Sequence, residues 1–104
     1  MRNGGARQIK RVRNEVLMAL KMLYPAALQG DQILRTLLAV FPQLEWDVLK
    51  KDLAYLCEKG YTQRIIAESE ADPRLTSWRK RWFRLTSKGV EIADHCVEDK
   101  ALEV

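Results

Sequence analysis

Six cations and no acid occupy residues 74–88: Arg74, Arg79, Lys80, Arg81, Arg84 and Lys88. Trp78 and Trp82 are interleaved with them. Guanidinium and ammonium groups keep their charge at neutral pH, so this block is poorly suited to moving protons. It is suited to neutralising anionic oxygens, donating hydrogen bonds to them and stacking on aromatic faces. A polyanion is the partner class that such a block fits.

Residues that could act as nucleophiles, proton carriers or metal ligands are sparse. His95 is the single histidine, and Cys57 and Cys96 are the two cysteines. His95 and Cys96 are adjacent, which on a helix points them about 100° apart, and no CxxC or HxxxH spacing accompanies them. Both cysteines fall within helical apolar stripes and read as small buried hydrophobes; a disulfide framework would need more of them. No Ser/His/Asp arrangement is visible, and no Gly-rich phosphate loop follows a strand, since Gly4 and Gly5 lie in the N-terminal segment. Glu68, Glu70 and Asp72 share a loop but lack the remaining oxygen ligands of a calcium site. The expectation is a non-enzyme with no cofactor, no metal and no small-molecule ligand.

The rest of the charge is unevenly spread. Residues 1–21 carry six cations and one acid, residues 22–73 five cations and eight acids, and residues 89–104 one cation and five acids. Two basic blocks therefore flank a mildly acidic middle. Brought to one side by the fold, they would form a positive surface. The 104 residues are 47% apolar, enough for the core of one small domain. No apolar run approaches the roughly 18 residues of a membrane span, and no apolar stretch follows the basic N-terminus as in a signal peptide. The chain is expected to be cytoplasmic, with no membrane partner.

The elements that must hold the basic block can be read from periodicity. Ile9, Val12, Val16, Leu20 and Leu23 predict an amphipathic helix over 7–24, stopped by Pro25. Asp31 reads as the N-cap of a second helix over 32–41, with Ile33, Leu34, Leu37 and Leu38 inward. A third helix runs from 44 or 45 to 58 or 59 on Leu49, Leu53, Leu56 and Cys57, with Trp46 and Val48 at the margin, and Gly60 stops it. Residues 61–67 and 78–85 have strand character, with Arg81, Phe83 and Leu85 on one face and Lys80, Trp82 and Arg84 on the other. Thr86 then caps a last helix carrying Val90, Ala93, Cys96 and Val97. Two strands alone make no stable sheet, so they must lie as a hairpin against three helices.

Two stretches carry a family likeness. Leu53-Ala54-Tyr55-Leu56-Cys57-Glu58-Lys59-Gly60-Tyr61 resembles the end of a recognition helix entering a wing, and Trp82-Phe83-Arg84-Leu85-Thr86-Ser87-Lys88-Gly89 resembles the aromatic-x-Leu-Thr-x-x-Gly exit from that wing. At this separation, after two helices of suitable length, they resemble the winged helix-turn-helix family in the style of the bacterial ArsR, PadR and MarR groups. The likeness covers roughly residues 7–97. A stand-alone domain of this size is also similar to small winged-helix proteins of transposable phages and prophages.

The resemblance implies a mainly α fold with a small β-hairpin wing (α+β), in the order helix-helix-helix-strand-strand-helix. A flexible tail is expected over 1–6, the domain over 7–97 and an acidic tail over 98–104. It implies a transcriptional regulator that binds double-stranded DNA, with the third helix in the major groove and the wing on the backbone. Carried onto this chain, the groove helix offers Trp46, Asp47, Lys50 and Lys51. The wing offers Arg74, Arg79, Lys80, Arg81 and Arg84, and the first helix Arg7, Lys10 and Arg11. The acids Glu45 and Asp47 and the bulky Trp46 depart from the small polar residues common there, although Asp can accept from cytosine N4. Metal-sensing thiolate clusters and the long dimer helices of ligand-responsive relatives are missing. Met18 and Met22 form a second apolar face, and a homodimer through the first or last helix is expected. The alternative is a winged-helix module that binds protein, without specific DNA recognition. The two separate on whether wing and third helix share one continuous positive face.

Overall fold

The computed structural model describes the backbone over residues 2–95 and the side chains over 11–94. Cys96, Val97 and the acidic tail 98–104 lie outside the described residues, as do the side chains of Arg7, Ile9 and Lys10. Helix α1 spans Arg2–Leu23 and therefore begins before the expected start at Arg7, so residues 2–6, anticipated as a tail, are part of it. Val12, Val16, Leu17 and Leu20 are fully buried along its inner face. Leu17 was not in the expected stripe, and Leu23, which was, stands half exposed at the last turn.

Helix α2 (Gly30–Leu38) starts before Asp31 rather than after it. The extended residue Gln29 precedes the helix, and its N–H donates to the Gln32 side chain at 2.8 Å. Asp31 is thus a first-turn residue, and its carboxylate is released for other partners. Helix α3 (Trp46–Glu58) buries Leu49, Leu53 and Leu56 as its 3.6-residue period requires, and it also buries Asp52. Gly60 has φ of 79°, a left-handed conformation that a residue with a Cβ adopts at a cost, and there the chain leaves α3.

Two strands were expected and the described residues form three, in an α+β architecture. β2 (Thr62–Ile65) pairs antiparallel with β3 (Trp82–Leu85), with Thr62 opposite Leu85 and Ile65 opposite Trp82. β1 (Leu28–Gln29) pairs antiparallel on the other edge of β3, Leu28 opposite Phe83, giving the order β1-β3-β2. A two-residue strand has no periodicity to read; it exists because β3 offers a free row of backbone groups beside it. β3 is also shorter than expected: residues 78–80 form a turn and the strand starts only at Trp82, so Lys80 does not share a strand face with Trp82. Phe83 and Leu85 point into the core, as alternation predicts.

The exit from β3 explains its motif. The Thr86 hydroxyl donates to the Gly60 carbonyl and accepts from the Gly89 N–H at 3.0 Å, closing the start of α4 (Ser87–His95) onto the end of α3. A Cβ on Gly89 would sit 2.0 Å from the Tyr61 carbonyl oxygen, so only glycine allows this approach. Ile92, outside the expected stripe, is buried in the core with the expected Val90 packed partly against it, and a Lys21–Asp94 ion pair ties α4 to α1. Among the described residues no helix is long and apolar enough to cross a membrane.

Candidate functional site

The basic residues sit mainly on the connection between β2 and β3, and its course decides where their charges lie. Two backbone bonds stitch it to the start of α2: the Gly30 N–H donates to the Arg81 carbonyl at 3.0 Å and the Asp31 N–H to the Arg79 carbonyl at 2.9 Å. These satisfy two of the first-turn donors that a helix leaves unpaired. The Gln29 side-chain amide adds a third tie, to the Lys80 carbonyl at 3.0 Å. Trp78 stacks on Phe83 with ring centroids 5.6 Å apart, which anchors the connection to the core strand.

Pinned in this way, the cations meet α3. The Arg79 guanidinium lies over the Trp46 ring at 5.3 Å while its Nε donates to Asp31 Oδ1 at 2.8 Å. Lys80 Nζ is 3.6 Å from the other Asp31 oxygen. Arg81 lies over Trp78 at 5.1 Å and donates to the Thr76 carbonyl at 2.8 Å; Lys50, from α3, reaches the same Trp78 ring at 5.9 Å. Two tryptophans, one from α3 and one from the connection, therefore carry cations from both elements. Lys51 is exposed one residue further on and lines, with Ala54, Tyr55, Cys57, Glu58 and Trp78, an open groove of about 510 Å³.

The cations are not equivalent. The Lys80 and Arg79 side chains are 67% and 51% exposed, and that of Arg74 is 89% exposed beside Asp72. Arg81 is half-buried, and burial pulls its pKa down from the usual arginine value. The hydrogen bond from Arg79, with the nearby charges, holds the Asp31 carboxyl below its ordinary range.

No family model, curated protein or solved structure matches this chain.

Of the expected site residues, the fold brings Trp46, Lys50, Arg79, Lys80 and Arg81 into one cluster, with Lys51 beside it. Asp47 is exposed in the first turn of α3. Arg84 points to the face of β3 opposite Phe83 and lines a separate cleft with Tyr24, Gln63 and Lys88. Arg11 lies over Phe41 at 5.3 Å, and the side chains of Arg7 and Lys10 are outside the described residues. Trp46 is half-buried beneath Arg79 rather than free to reach outward.

Three participants were missed. Asp31 was assigned to capping, and its pairing across 48 positions with Arg79 has no local signature. Trp78 was one letter in a basic run, yet it is the platform on which that run rests. Asp52 falls on the polar side of a simple apolar count, but it is buried and accepts from Arg13 Nε at 2.9 Å, while the Arg13 guanidinium covers Tyr55 at 3.8 Å. Burial raises the Asp52 carboxyl above its usual range, partly offset by Arg13, and its second oxygen is buried without a partner among the described residues. Cys57 is half-buried against Thr62 at 3.2 Å, and burial pushes its thiol up, away from thiolate reactivity. Among the described residues no group of three or more His, Cys, Asp or Glu is placed to hold a metal.

Proposed function

We propose that this chain is a winged helix-turn-helix protein that binds double-stranded DNA as a transcriptional regulator, with α3 directed to the major groove and the β2–β3 connection acting as the wing on the backbone. The element order α1-β1-α2-α3-β2-β3-α4 with sheet order β1-β3-β2 supports the fold assignment. The single observation that supports the function is the joint cluster: Arg79 on Trp46, and Lys50 and Arg81 on Trp78, join the wing and α3 in one basic patch. Asp31, the acid beneath the two cations of the connection, is already matched by Arg79 and Lys80.

A second reading rests on the outward side of α3, where Asp47, Val48 and Glu58 are exposed among the lysines. Such a mixed surface suits a protein partner as well as a groove. Anisotropy titration of labelled random duplex DNA at two salt concentrations separates the two. With about five exposed cations able to meet phosphates (Lys50, Lys51, Arg74, Arg79 and Lys80), the binding constant falls roughly 500-fold between 50 and 200 mM salt. Absence of binding at low salt rejects the DNA reading and favours the protein module.

A further inference from the structure

Within the wing, residues 70–76 are braced far more heavily than a surface turn needs. Glu70 accepts from the Ala67 N–H at 2.9 Å and from the Thr76 hydroxyl at 2.8 Å, and it pairs with Arg64. Arg64 also donates to the Pro73 carbonyl at 3.0 Å, and Asp72 accepts from the Arg74 N–H at 3.1 Å. Arg81 holds the Thr76 carbonyl from the other side. What this framework presents is a single 3-10 turn, Pro73–Leu75. Leu75 is 81% exposed at its end, next to Arg74 at 89%.

A lone exposed leucine is ordinary on a protein surface. A leucine held out by a preorganised polar frame, beside the exposed, Asp72-paired Arg74 and within a stretch of six cations and no acid, is a different object. Resting on the DNA reading above, we propose that Leu75 is a wedge that enters the minor groove and partly unstacks a base step, with Arg74 on the flanking phosphate or groove edge. Apolar side chains used this way kink duplexes by roughly 20–90°, the unstacking cost being offset by the added contact with the bent DNA. A fixed turn suits the role, because a flexible one would fold the leucine back instead of levering bases apart.

The test uses the whole chain, a matched 30-base-pair duplex labelled at both ends for energy transfer, and the same duplex with a central two-base mismatch. The parent is expected to shorten the end-to-end distance and to bind the mismatched duplex at least ~5-fold tighter, since unstacking there is already partly done. Leu75→Ala is expected to abolish both effects while keeping affinity for the matched duplex within about threefold. Arg74→Ala weakens binding to both duplexes alike. Because Leu75 is exposed, its replacement leaves the melting temperature unchanged, which guards against a folding artefact. Bending that persists in Leu75→Ala, or binding without bending, overturns the wedge and leaves the DNA reading standing. No binding of the parent to either duplex overturns both. Leu75-dependent binding to vesicles of anionic phospholipid, with no DNA bending, likewise overturns the wedge.

Discussion

Lys80, Arg79 and Arg81 are neighbours in sequence, yet their charges are committed to different degrees. Lys80→Ala removes a side chain that only approaches Asp31, so it should weaken DNA binding evenly across sequences and lower the salt slope by about one in a log-log titration. Arg81→Ala should instead release the Thr76 carbonyl and uncover Trp78, giving a red-shifted tryptophan emission before any DNA is added. Asp31→Asn points the other way: Arg79 and Lys80 lose an internal carboxylate, and affinity for random duplex should rise by roughly fivefold with a steeper salt slope. Unchanged affinity in that variant would mean these two cations do not face phosphate. Asp52 makes a separate prediction about pH. Its folded pKa is raised, so its favourable contribution is present below the unfolded value, near 4, and is lost as pH rises through the folded one. The stability of the parent relative to Asp52→Asn, from urea unfolding at a series of pH values, should therefore decline from pH 4 towards neutrality.

At the level of elements, the two motif glycines do different jobs, and substitution should separate them. Gly60→Ala strains one left-handed residue in open space, at a cost of about 1–2 kcal/mol. Gly89→Ala drives a methyl into the Tyr61 carbonyl, so α4 must shift off the sheet; the loss should reach or exceed about 3 kcal/mol, compared by denaturant midpoint. The connection between β2 and β3 has its own acid sensitivity. The Ala67 N–H and the Thr76 hydroxyl hold the Glu70 carboxyl below its ordinary range, as Arg79 does for Asp31. Their stabilisation is present above the unfolded carboxylate values, about 4, and is lost as pH falls through the lower folded values. Tryptophan emission should accordingly report release of this connection at acid pH, and a Glu70→Gln variant should show that release already at neutral pH.

For the whole molecule, the arrangement supports one working surface and not two basic patches. Of the first-helix cations with described side chains, Arg11 covers Phe41, Arg13 is paired with Asp52 and Lys21 with Asp94, while Arg84 faces a different cleft with Lys88. The proposed DNA footprint is therefore narrower than the charge profile of the chain suggested, centred on α3, the wing and the first turn of α2. A homodimer through α1 remains a proposal: Met18 and Met22 are 40% and 84% exposed on it, and sedimentation of the parent against Met22→Glu at matched concentrations tests it. If both sediment as monomers, DNA sites for this chain need no two-fold symmetry.

The sequence determined the pieces whose physics is local. Periodicity placed α3 nearly to the residue, glycine with a positive φ ended it, alternation turned Phe83 and Leu85 inward, and Thr86 with Gly89 marked the start of α4. It also determined where positive charge accumulates along the chain, since charge belongs to a residue regardless of fold. Which charges stay free was decided only in three dimensions. Asp31 and Arg79, Arg13 and Asp52, and Lys50 and Trp78 are distant in the chain, and no spacing rule links them. The same holds for β1, two residues long, which exists because an edge of β3 needed backbone partners. Local propensity selects elements, but pairing energy depends on separation in space, and that separation is set by how the core closes.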